Sequence, residues 1–171
     1  MTTNKFIHSK KGFTLIETLV AITILLIAVV GPISLIGDAL HKLYYAKDQM
    51  IAINLAQEGI EVVRQVRDTN MLNSAVGFDI FALSSPAYYT VNAISTTPLT
   101  SSDSTQKPVL IDAGFYKQEG AGTPTQFTRL VIIESVVTGA IERKVTSKVE
   151  WKTGGQVGTI TVTEYLFKWA I

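Results

Sequence analysis

Glu17 is a carboxylate in a place that disfavours one. It follows Phe13-Thr14-Leu15-Ile16 and precedes 20 residues, Thr18 to Gly37, that carry no charge. As a helix that run measures about 30 Å, at ~1.5 Å per residue, which matches the hydrocarbon core of a bilayer. A charge well inside such a helix costs roughly 3 kcal/mol, and less near its end, where the side chain reaches the surface. Glu17 is therefore either a tolerated boundary charge or one half of an ion pair. The second reading needs a cation at the same depth, yet no Lys or Arg lies between Lys11 and Lys42. One cation can be made. A chain cut before Phe13 exposes an α-amino group, charged at neutral pH with an ordinary pKa of about 8. Glu17 would stand about 6 Å along the helix from it, and pairing would recover much of the desolvation cost. Formed between neighbouring chains, such a pair also fixes their axial register.

Other chemistry-bearing residues are sparse. The chain has no cysteine, which removes disulfides, thiolate nucleophiles and Cys-based zinc sites. His8 and His41 are the only histidines and have no partner set, so neither a His-dependent hydrolase nor a multi-His metal site is expected. Asp103 sits among serines, but one carboxylate is too few for calcium. No catalytic group, metal or cofactor is expected. Formal charge is +1 over 171 residues, so no global field points to nucleic acid. The position of charge is more telling. Lys5, Lys10 and Lys11 precede Phe13 with no acid among them, which favours a cytoplasmic N-terminus. A secretory signal would have a shorter apolar core and a small-x-small cleavage site; Ala28-Val29-Val30 is not one. Gly12, without a Cβ, either lets a protease approach the backbone or serves as a flexible joint. Pro32, after Gly31, offers no N–H to the carbonyl of Ala28 and should bend or locally melt the helix.

Lys11-Gly12-Phe13-Thr14-Leu15-Ile16-Glu17, followed by the apolar run, resembles the class III signal of type IV pilins and pseudopilins. The resemblance implies a membrane-embedded prepilin peptidase that cuts after Gly12 and N-methylates Phe13. It implies that Glu17 helps recruit the subunit into a helical filament, and that the Gly31-Pro32 break lets the helix stretch there; a plain membrane-helix kink explains that pair equally well. Leu55-Ala56-Gln57-Glu58-Gly59-Ile60-Glu61-Val62-Val63-Arg64, with Arg67-Asp68, is similar to the helix of I-type minor pseudopilins and PilV-like minor pilins. Its physical content is small residues that let a sheet approach closely. The lack of cysteine departs from those pilins that close their C-terminal region with a disulfide, leaving strand pairing, Trp151 and Trp169 to hold it.

The elements around these residues follow from periodicity. Helix should continue from Asp38 to about Leu72, with Ala52, Leu55, Ala56, Gly59, Ile60, Val63 and Val66 on one apolar face. Glu61 with Arg64, and Arg64 with Asp68, suit a solvated opposite face. His41, Lys42, Tyr44 and Tyr45 fit an interfacial belt. Phe78–Leu83 and Tyr88–Ser95 read as short strands, and Thr96–Lys107, rich in Ser and Thr, as an exposed loop. Phe127–Val137, Ile141–Lys152 and Val157–Trp169 are β-rich runs separated by Thr138-Gly139-Ala140 and Thr153-Gly154-Gly155-Gln156, which are hairpin-turn residues. In the middle run Lys144, Lys148 and Lys152 share a face, open either to DNA or, interrupted by Glu150, simply to solvent.

The expected fold class is α+β and pilin-like: a long N-terminal helix, its first half transmembrane, packed on an antiparallel sheet of about four strands. The segments are a cytoplasmic leader (1–12), a membrane and assembly helix (13–37) and an extracytoplasmic domain (38–171). The resemblance implies a non-enzymatic, single-pass inner-membrane subunit of a type IV pilus or type II secretion-type pseudopilus, of the minor kind. Its partners would be other pilin-like subunits, the prepilin peptidase and an inner-membrane assembly platform. A major pilin or a DNA-uptake pseudopilin competes within that class, and a signal-anchored binding domain competes from outside it.

Overall fold

The computed structural model describes residues 12–72, 80, 84–136 and 141–168. Among the described residues one helix, α1, covers Leu15–Leu72, and seven strands follow: β1 (Ala87–Val91), β2 (Leu99–Ser102), β3 (Lys107–Asp112), β4 (Phe115–Lys117), β5 (Thr123–Ser135), β6 (Glu142–Thr153) and β7 (Gln156–Phe167). All pairings are antiparallel. The α+β, pilin-like architecture holds, with seven strands instead of about four. The chain divides into two compact units, Met1–Leu43 and Tyr44–Ile171.

In the second unit the apolar face of α1 is as the spacing predicts. Ala52, Leu55, Ala56, Ile60 and Val63 are buried and Val66 packs beside them. Gly59 has a specific reason to be small: a Cβ there would come within 2.5 Å of Ser147 Oγ on β6 and 3.1 Å of Val131 Cγ2 on β5. The backbone of α1 touches the sheet at that point, and a side chain would hold it off.

The sheet is organised by β5. One edge of it pairs with β6 along nine consecutive residues, Phe127 to Ser135. Its other edge is shared, with β3 along Thr123–Arg129 and β1 along Val131–Ile133. β6 then pairs with β7 through a two-residue turn in which Gly154 (φ 55°) and Gly155 (φ 91°) both adopt the left-handed region, as a type I′ hairpin needs. β6 alternates as expected, with Arg143, Val145, Ser147, Val149 and Trp151 inward.

Two expectations need correcting. Thr96–Lys107 is not all loop, because Leu99–Ser102 pairs with Val91–Tyr88 and Lys107 opens β3. Arg64 does not pair with Asp68. Its Nη2 donates to both carboxylate oxygens of Glu164 on β7, at 2.7 and 2.6 Å, while Nη1 keeps Glu61, and Asp68 takes Arg67 instead. The helix face drawn as solvated is thus tied to the sheet. Of Phe78–Leu83 only Ile80, a buried turn residue, is described; Thr138-Gly139-Ala140 and Trp169 lie outside the described residues.

The core falls into two apolar clusters, one around Val63, Val131 and Val145, the other around Ala56, Phe127, Val149 and Trp151. Between Phe127 and Val131, on the same inward row of β5, lies Arg129, 0% exposed. Its guanidinium donates to Gln118 Oε1 (2.9 Å), Leu55 O (2.9 Å), Glu58 Oε2 (2.7 Å) and Val91 O (3.0 Å). Gln118 in turn accepts from the Val91 N–H at 3.0 Å and donates to Lys107 O and Arg129 O. Those are backbone groups at the fork where β3 and β1 part, so the two side chains satisfy what the ladder cannot. Burial pulls the Arg129 pKa below its ordinary value, and Glu58 pulls it back up.

Candidate functional site

The chemistry read from the sequence clusters at the start of α1. Gly12, Phe13 and Thr14 are non-helical and the helix opens at Leu15. Thr14 caps it: its carbonyl accepts from the Thr18 N–H at 3.2 Å, and its hydroxyl accepts from the Glu17 N–H at 3.3 Å. Thr14 and Glu17 are thus the first and last residues of a Thr-x-x-Glu capping box, a signal legible in the sequence that the reading above missed. Only the hydroxyl half of the box is closed among the described residues. Glu17 therefore lies one turn inside the helix, exposed, with no ion pair among the described residues.

Every described side chain from Gly12 to Tyr44 is exposed, Phe13 at 78%. The apolar part of this helix is long and apolar enough to cross a membrane, and none of it is buried. Its polar side chains answer to the same solvent. The Thr18 and Thr23 hydroxyls each donate back to a carbonyl three residues earlier, Leu15 O and Val20 O, both at 2.8 Å, which satisfies them without water. Helical geometry continues through Gly31 and Pro32, where a Cβ added at Gly31 would meet nothing within 4 Å. The same is true at Gly12, so among the described residues no contact requires either glycine. Lys5, Lys10 and Lys11 lie outside the described residues.

Residues 7–31 match the family model described as the prokaryotic N-terminal methylation motif. The chain carries a prepilin-type signal. The motif indicates a pilin-like prepilin-peptidase substrate, and together with the long apolar helix it suggests membrane anchoring. No curated protein and no solved structure matches the chain significantly.

The other candidates separate from this site. Among the described residues no group of three or more His, Cys, Asp or Glu is placed to hold a metal. Asp103 accepts from the Thr105 hydroxyl, from Lys107 Nζ at 3.0 Å and from the Thr105 N–H at 3.0 Å. These bonds close a local turn and hold its pKa down to about 2. Of the three lysines on β6, Lys144 pairs with Glu134 at 3.2 Å and Lys148 with Glu150 at 2.6 Å, as on a mixed solvated face. Tyr45, placed in an interfacial belt by the sequence, is half-buried and tilts against Trp151, ring centroids 5.7 Å apart.

Proposed function

We propose that this chain is the precursor of a minor pilin-like subunit, held in the inner membrane with residues 1–12 cytoplasmic and residues 38–171 outside. The prepilin peptidase cuts between Gly12 and Phe13 and methylates the new amine. The subunit then enters a type IV pilus or a type II secretion-type pseudopilus through the assembly platform. The observation that carries this reading is the combination at the head of α1: a methylation-motif match over 7–31 and an apolar helix with nothing buried in its own chain. A segment so exposed and so apolar needs a solvent or partner outside the chain, and lipid followed by sister helices supplies both. Gly12 fits the same logic, since the demand for a missing Cβ comes from the enzyme that must approach it. Glu17 carries the assembly role, pairing with the Phe13 amine of a neighbouring subunit. The Gly31-Pro32 step is the place where the helix yields on packing.

Mass spectrometry of the chain coexpressed with its peptidase tests this. The expected product begins at N-methylated Phe13, and an intact Met1 terminus rejects the proposal. Abundance in sheared filaments then separates subunit types, because a dominant filament protein would be a major pilin.

A further inference from the structure

We propose, resting on that reading, that the Thr14 hydroxyl fixes where α1 begins and so keeps the scissile Gly12–Phe13 peptide outside the helix. Thr14 is a positioning residue, bonded to the backbone of Glu17 and not to the bond that breaks. The first turn of any helix presents N–H groups without intrahelical acceptors. At a membrane boundary water answers them poorly, so each unsatisfied group costs more than it would in solution. Here the hydroxyl takes the Glu17 N–H at 3.3 Å, and the first intrahelical bond runs from the Thr18 N–H to the Thr14 carbonyl at 3.2 Å.

Without the hydroxyl, the Glu17 N–H has its next acceptor one residue upstream, at the Phe13 carbonyl. The Ile16 N–H would then take the carbonyl of Gly12. Both bonds require helical backbone where the chain is now non-helical, and the helix would grow across the peptide to be cut. Proteolysis favours exposed chain that is not locked in hydrogen-bonded structure. The cut itself consumes one water and leaves a Gly12 carboxylate and a Phe13 ammonium. In the product Thr14 is the second residue, and the same cap holds the new terminus extended.

The test uses the full-length precursor in detergent micelles with its peptidase, following cleavage by mass and the 13Cα shifts of Gly12 and Phe13. Thr14→Val keeps the shape and a similar helix propensity but removes the hydroxyl. It should move both shifts toward helical values and lower kcat/KM for cleavage by about two- to thirtyfold, the span expected for a lost cap. Thr14→Ser should restore both readouts. Wild-type cleavage and shifts in the valine variant overturn the proposal. So does slow cleavage of the valine and serine variants alike, which would assign the effect to side-chain shape. A wild-type chain left uncut at Gly12–Phe13 overturns the processing reading instead.

Discussion

The two halves of α1 are one helix built for two solvents. From Gly12 to Tyr44 every described side chain is exposed, although most are apolar; from Ala52 to Val63 the helix buries one face against the sheet and bears charge on the other. The first half is apolar all round and the second is amphipathic, the difference expected between a lipid-facing and a water-facing helix. The lesson is about where stability resides. The unit Tyr44–Ile171 contains the buried core, whereas none of the apolar stretch of the first half is buried.

The sharpest way to break this contrast is at Arg129. Arg129→Ala removes a buried cation and leaves Leu55 O, Val91 O and Glu58 without it. Breaking such a pair from one side costs about 3–5 kcal/mol, read as a fall in the thermal midpoint of the full chain in mild detergent. Arg129→Lys should recover only part of it, because an ammonium cannot span four acceptors as a planar guanidinium does. A midpoint unchanged in the alanine variant would mean the polar fork is not what joins helix to sheet.

Matched leucines test the comparison more directly. Leu55 is 3% exposed and Leu25 is 62% exposed. Leu55→Ala should destabilise the outer unit by roughly 2–5 kcal/mol, the range for a buried leucine. Leu25→Ala should leave the same unfolding transition in place, because its side chain is exposed. Equal losses at both sites would show that the two halves unfold together and that the division at Leu43 and Tyr44 has no thermodynamic meaning.

How far each half was legible follows from the range of its interactions. The membrane run, the amphipathic face and the β6–β7 hairpin are local patterns: a charge-free span, a period of three and four, a Gly-Gly turn. Even the Thr14 cap is local, four residues long and written in sequence. Arg129 is not. Its acceptors lie in α1, β1 and the segment after β4, and nothing beside Arg129 distinguishes an inward arginine from an outward one shifted by one residue. β2 was hidden for a related reason. Leu99–Ser102 has loop composition, and becomes a strand because β1 offers it an edge. Arg64 misled because its local partners, Glu61 and Asp68, competed with Glu164, a hundred residues away.

That Arg64–Glu164 bridge should have a smaller effect. Both side chains are about a third exposed, so solvent screens the pair and its contribution is at most about 1 kcal/mol. The Glu164 carboxylate, by hydrogen bond and charge, raises the Arg64 pKa, which keeps the arginine charged. Glu164→Gln should lower the thermal midpoint slightly at low ionic strength, and the difference from wild type should shrink as salt screens the pair. A difference that persists at high salt would mean the side chain acts by packing and not by charge.

At Glu17 the expected change in folding stability is none. Glu17→Val alters a residue exposed in the first turn of α1, far along the chain from the unit whose unfolding is measured. Membrane insertion should be unchanged or improved, by up to ~3 kcal/mol on insertion scales, since a carboxylate is replaced by an apolar group. Incorporation into filaments should nevertheless fall sharply, because the Phe13 amine of a neighbouring subunit loses the carboxylate proposed to hold it. Glu17→Asp separates charge from reach: it keeps the carboxylate one methylene shorter, and intermediate assembly is the expected result. Normal assembly of the valine variant would make Glu17 only the far end of the Thr14 cap, where its backbone N–H matters and its side chain does not.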